Sequence, residues 1–363
     1  MNEAATANIP IRNVFHMLAY AFQSLRQGEY ERLEAEDFEH VHDLLAAILA
    51  LGVGRQLKQG LHREYVGRSE ELATIRGKVD VGGTVRAKLA RRRVVVCEYD
   101  ELSEDNALNQ AVKATCMLLL RHGKVADERK ATLRREVLFF SSVDDVDPSA
   151  IRWDSFRFTR ENRSYWTLVC ICQLIVEGML LTTSAGEHRL AEFIDDQRMH
   201  RLYEKFILEY YRKEHPELRV STPQIPWVLD EGDGAMLPTM RSDITLERGG
   251  RVLIIDAKFY AHTTQSLFGS HTIHSANLYQ IFTYVKNREA GFAGRPHEVS
   301  GMLLYVRTRE AVQPDQSYVM SGNRIEVRTL DLSRDFSEIA AQLDGIADEH
   351  FGTSGGIAPA VEG

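Results

Sequence analysis

The chain has 363 residues, 44% hydrophobic and 26% charged, the proportions of a soluble globular protein with room for two domains. A net charge of −8 excludes a surface coated in basic residues, although phosphate contacts need only a local basic patch. The start lacks the basic and apolar segments of a secretion signal, and the most apolar run, Leu168 to Leu181, is too short for a bilayer and carries Gln173 and Glu177. A cytoplasmic protein with no membrane contact is therefore expected. In chain order, apolar residues recur at helical spacing over Ile9 to Leu25 and Asp37 to Leu57. Leu61 to Val66, Ala73 to Val81 and Val94 to Tyr99 have strand character. Asp105 to Arg121 and Glu128 to Phe140 return to helix. The polar stretch Asp144 to Ser149 is rich in turn formers and marks a boundary. These elements predict a mixed α+β domain over 1–150 and a helical connector over 151–192, built on Arg163 to Leu181. A second domain is expected over 193–350, closed by a strand at Arg324 to Leu330 and a helix at Phe336 to His350. The tail, 351–363, has little to pack and is expected to be disordered.

The chemistry concentrates in the second domain. Met240 to Leu246 alternates like a half-buried strand, and Val252 to Phe259 is an apolar run that ends in Asp256-Ala257-Lys258. Glu247 to Arg251, with its two glycines, suits a tight hairpin turn. Such a hairpin brings Asp243 and Asp256 together at one end of the sheet. Lys258, two residues on in a strand, shares the face of Asp256. Two carboxylates suit Mg²⁺, which takes hard oxygen ligands and keeps several waters. A lysine beside them suits phosphodiester hydrolysis, where it orients water or neutralises charge on the phosphate. Glu204, in the helical stretch Met199 to Arg212, is a third candidate carboxylate. Gln280 and Tyr284 share a face of the helix Ser275 to Val285. A buried strand, Ser300 to Val306, follows.

Other features read more plainly. Cys97, Cys116, Cys170 and Cys172 are scattered and fit reduced packing residues. The basic run Arg86 to Arg93 is either a solvated face or a contact for DNA phosphate or an acidic partner. His262, His271 and His274 match no strong zinc spacing and sit where DNA contact is expected. No P-loop sequence occurs.

The order helix, Asp strand, Asp-Ala-Lys strand, helix, strand resembles the core of the PD-(D/E)xK nuclease superfamily, with Ser242-Asp243 in place of proline-aspartate. Gln280 to Tyr284 resembles the QxxxY element of several of its branches. Further blocks resemble the McrC family, the nuclease subunits of McrBC modified-cytosine restriction systems. They are Ile9 to Ala21, Ile75 to Asp80, Glu98 to Asn109, Met240 to Thr245, Ile255 to Tyr260 and Ser275 to Gln280, in collinear order. The resemblance implies an N-terminal partner-binding domain followed by a restriction-endonuclease-like core, a mixed sheet flanked by helices. It implies a hexameric AAA+ GTPase partner (McrB-like) whose GTP hydrolysis the N-terminal region stimulates, and Mg²⁺-dependent cleavage of double-stranded DNA with modified cytosine. It implies Asp243, Asp256 and Lys258 as the catalytic triplet, with Glu204 and Gln280 around them. The set assigns Asp243, Asp256 and Glu204 to the metal and Lys258, Gln280 and Tyr284 to the nucleophile, the lysine or the DNA backbone. Double-strand cleavage implies two nuclease domains working as a pair. Two other functions stay open from the sequence: a regulatory subunit of an AAA+ motor with a silent site, and an autonomous repair or recombination nuclease.

Overall fold

The computed structural model describes residues 9–22, 25, 30, 33, 36, 38–159, 162–184, 196–260, 265–267, 270–292, 294 and 296–352. The tail expected to be disordered therefore lies, from 353 on, outside the described residues. The first elements are α1 (Ile11–Ala21), α2 (Val41–Gln59), β1 (Glu64–Leu72), β2 (Lys78–Val79), α3 (Val81–Leu89) and β3 (Val95–Ser103). Then come α4 (Ala107–His122), α5 (Asp127–Val137), α6 (Arg163–Ser184) and α7 (Asp196–Glu214). The strands β4 (Arg219–Ser221), β5 (Gln224–Ile225), β6 (Met240–Arg241), β7 (Ile244–Arg248) and β8 (Arg251–Lys258) follow. The chain continues through β9 (Gln265–Leu267), β10 (Ser270–Thr272), α8 (Ser275–Ala290), β11 (Glu298–Val306), β12 (Gln316–Met320), β13 (Asn323–Leu330) and α9 (Phe336–Phe351). Two compact units result: Phe38–Phe193, and Met1–Asp37 together with Ile194–Gly363.

In the unit Phe38–Phe193, α2, α4, α5 and α6 pack on one another. Helix α2 buries Leu44, Leu45, Ile48, Leu49 and Val53. The block Glu98 to Asn109 supplies strand β3 and the start of α4. Asn106 caps α4 by accepting from the Asn109 backbone N–H at 3.2 Å. Asn109 is fully buried, donates to the carbonyls of His62 and Glu104, and accepts from the Tyr165 hydroxyl at 2.8 Å. The antiparallel sheet runs β1-β3-β2, and α3 is tied to it where Thr84 Oγ1 accepts from Val96 N. The strand expected over Ala73 to Val81 shrinks to Lys78–Val79, and α3 was not anticipated. Gly82 and Gly83 in its first turn weaken the helical signal, and the basic residues mask it. Arg86, Lys88, Arg91, Arg92 and Arg93 are all exposed. So are Tyr65, Ile75, Val81, Leu89 and Leu102.

The other unit is built on a six-stranded sheet of order β12-β13-β11-β8-β7-β4. Strands β8, β11 and β13 are parallel, and β7, β4 and β12 pair antiparallel with their neighbours. The central strands β8 and β11 are apolar runs, as expected where both faces are covered. On one face Val252, Ile254, Leu303, Tyr305, Ile325 and Val327 pack with Ile281, Tyr284 and Val285 of α8. Gly301 makes that packing close, since a Cβ there would lie 2.7 Å from Val285 and 2.8 Å from Ile281. On the other face α7 meets the sheet, with the Tyr203 and Phe259 rings 6.3 Å apart, and Tyr211 donates to the Leu343 carbonyl of α9.

Helix α1 belongs to this unit, although the expected division at residue 150 places it with the N-terminal domain. Its apolar face carries Val14, Phe15, Leu18 and Tyr20, and Tyr20 stacks on Phe336 at 5.6 Å. Asn13 Nδ2 donates to the carbonyls of Leu332 and Arg334, each at 2.8 Å. That face finds its cover on α7, where Tyr20 meets Phe206 and Tyr210, and on Phe336 at the start of α9, distant segments that local pattern does not reveal.

Candidate active site

The hairpin between β7 and β8 turns on Gly249 and Gly250, with φ of 58° and 85°. Two left-handed residues make the tight turn whose twist matches paired strands. The ladder runs from Arg248 opposite Arg251 to Ile244 opposite Ile255. Asp243 immediately precedes β7, just beyond the end of this ladder. Asp243 Oδ2 accepts from the Ala257 backbone N–H at 3.0 Å, which ties it to β8. Before it, Ser242 is buried and its hydroxyl shares a 2.8 Å hydrogen bond with Thr245. Asp256 is 1% exposed and Lys258 6%, on the face that α8 covers. Lys258 Nζ lies 2.7 Å from Asp256 Oδ2 as an ion pair. Yet neither Asp256 oxygen accepts a hydrogen bond of sound geometry from the described residues.

The electrostatics follow from this crowding. Burial, then the charges of Asp256 and Glu204, push the Asp243 carboxyl up to about 8. Burial also raises Asp256, against the pull of Lys258 and, more weakly, of His200. Burial would lower the Lys258 ammonium, but the Asp256 carboxylate outweighs it and holds it above its ordinary value.

Around this core the other candidates take their places. Gln280 Oε1 accepts from Lys258 Nζ at 3.3 Å, and Gln280 Nε2 donates to the Tyr284 hydroxyl at 2.9 Å. The tyrosine thus fixes which way the amide faces. Tyr305, opposite Lys258 in the β8–β11 ladder, accepts from Asn277 Nδ2 at 2.9 Å. Burial pushes its phenol up to about 12. Glu204 projects from α7 and takes a 2.8 Å contact from His200 Nε2. His200 Nδ1 accepts from the backbone N–H of Phe259, the residue after Lys258, at 3.2 Å. Sequence reasoning passed over His200; its only signal there is the i, i+4 spacing to Glu204.

The six candidate residues therefore gather at the end of β8. Among the described residues no three His, Cys, Asp or Glu side chains converge as a ready-made metal cage. A hydrated Mg²⁺ needs only one or two carboxylates and fills the rest of its octahedron with water. The buried Asp256 carboxylate, whose charge is met by Lys258 at one oxygen, and the adjacent Asp243 fit that demand. Of the three histidines weighed for zinc, His262 and the side chain of His271 lie outside the described residues. His274 precedes α8, and its ring lies tilted against that of Tyr260, 5.6 Å between centroids.

The family profile of the McrBC 5-methylcytosine restriction system component matches residues 3–305. The chain belongs to this family. The match takes in all six candidate residues and ends within β11, so that β12, β13 and α9 lie beyond it. An McrBC relative, the type IV methyl-directed restriction enzyme EcoKMcrBC of Escherichia coli strain K12, is 26% identical over 350 residues. The alignment covers 94% of this chain and 98% of that one. A chain in the structure of Thermococcus gammatolerans McrB AAA+ hexamers with bound McrC has the same fold, with a TM-score of 0.50 and 18% identity. It covers 93% of this chain and 76% of that one. No helix among the described residues is long and apolar enough to cross a membrane.

Proposed function

We propose that this chain is the nuclease subunit of a GTP-dependent restriction complex that cuts double-stranded DNA carrying modified, methylated cytosine. The observation that carries this is the convergence of Asp243, Asp256 and Lys258 at one strand end, inside a chain of the McrBC component family. Asp243 and Asp256 hold Mg²⁺, and Glu204 faces the same ion directly or through water. When bound, the ion supplies charge stabilisation and an acidified water. Lys258 neutralises charge on the phosphate and positions the nucleophile. Gln280 aims the ammonium, and Tyr284 aims Gln280.

The partner is an AAA+ GTPase, a McrB-like hexamer. The family and the fold shared with a chain of an McrB–McrC assembly support it. The N-terminal region contacts that partner and stimulates its GTP hydrolysis. The exposed basic residues of α3 and the turn after it, with the exposed apolar Tyr65, Val81 and Leu89 nearby in sequence, suit such a contact. The complex works in the cytoplasm, and two nuclease domains pair to cut both strands.

The test is cleavage of methylated and unmethylated plasmid in Mg²⁺ and GTP, with and without the partner GTPase. Cleavage that needs methylation, GTP and partner is expected. Asp256→Ala and Lys258→Ala should each abolish it while GTPase stimulation persists. Cleavage without GTP or partner would point to an autonomous nuclease. Stimulated GTP hydrolysis with no cleavage by the wild type would point to a regulatory subunit.

A further inference from the structure

We infer that His200 is a positioning residue for the nuclease site: it grips the end of β8 through Nδ1 and sets Glu204 through Nε2. The inference rests on the nuclease function proposed above. The Phe259 N–H points at Nδ1, so that nitrogen is unprotonated and accepts. The proton of the neutral ring is therefore on Nε2, where it donates to Glu204 Oε1 at 2.8 Å. Both nitrogens are engaged, so neither has a free lone pair for a cation while these bonds hold. An ordinary surface i, i+4 pair would leave the far ring nitrogen to water. Here it takes a backbone N–H of the strand that carries Asp256 and Lys258. One imidazole thus links the position of the β8 end to the aim of a carboxylate on α7. It is the arrangement by which groups outside a metal's own ligands orient those ligands.

Amide substitutions separate the two bonds. Asparagine places an oxygen near the position of Nδ1 and keeps the Phe259 contact alone. Glutamine places an N–H near the position of Nε2 and keeps the Glu204 contact alone. Mn²⁺ binding to the full chain, without DNA or partner, is measured by EPR titration, with circular dichroism melting as the check on folding. His200→Ala should weaken Mn²⁺ by about 10- to 100-fold, the usual effect of losing such a support. His200→Gln should recover most of that loss and His200→Asn little of it. In a Glu204→Gln background, His200→Ala should cost nothing further. The 15N shifts of His200 in the metal-free protein should report a protonated Nε2 and a bare Nδ1.

Unchanged affinity in His200→Ala, full additivity with Glu204→Gln, or a protonated Nδ1 would each overturn the inference. So would nitrogen coupling to Mn²⁺ in pulsed EPR, which would make His200 a direct ligand. Asp256→Ala separates the two levels. If it abolishes Mn²⁺ binding while His200→Ala does not weaken it, only the role of His200 is wrong. If it leaves binding intact, the metal site itself is misassigned and the inference falls with it.

Discussion

Asp243 shares a dry corner with a second carboxylate, and that has a consequence for stability without metal. Its carboxyl is raised to about 8 by burial, Asp256 and Glu204, so the folded protein holds this proton where the unfolded chain has released it. Its contribution is present below the ordinary carboxylate range and is lost as pH rises through about 8. Asp243→Asn cannot ionise. In EDTA its melting temperature should exceed that of the wild type by a margin that grows from about pH 4 to pH 8, then levels off. A margin that stayed constant with pH would mean that burial and the neighbouring carboxylates do not raise Asp243. Asp243, Asp256 and Lys258 were legible because one hairpin brings them together. His200 was not, because its partner is a backbone N–H 59 residues further on.

Helix α8 reaches the sheet only because Gly301 has no side chain. Gly301→Val would drive carbon into Val285 and Ile281 and push away the helix that carries Gln280. Overpacking of this kind costs about 1–3 kcal/mol, and urea denaturation should show it together with slower cleavage. In the helical unit, burial pushes the Glu136 carboxyl of α5 up to about 7, with Arg135 opposing. Its stabilising share is complete below about 4.5 and is lost as pH rises through about 7. Glu136→Gln should therefore gain on the wild type across that window in the melting of this unit. Burial lowers His42 to about 4, so acid acts on it in the opposite sense. His42 is common to both proteins and cancels in the difference. The long periodic helices and apolar strands were readable from the sequence. Helix α3 and the exposed strand β12 were not, the first for its glycines and the second because its residues are mostly polar and solvated.

The molecule keeps its candidate chemistry in one unit and the exposed basic run Arg86 to Arg93 in the other. Reversing Arg91, Arg92 and Arg93 to glutamate should weaken GTPase binding and stimulation at least tenfold and leave Mn²⁺ affinity unchanged. A parallel loss of both would contradict the division of labour. These charges are exposed, so the change should leave the fold intact and be partly masked by salt. Local order along the chain dictates the hairpin, its register and therefore the meeting of Asp243, Asp256 and Lys258, since a two-residue turn and a period of two leave no other pairing. Folding decides what distant segments meet. It draws α1 onto α7 and α9, and it brings His350 of α9 against Glu326 of β13. It also sets Glu204 and His200 against the end of β8. Burial, not spacing, holds these groups together, and burial is a property of the packed whole.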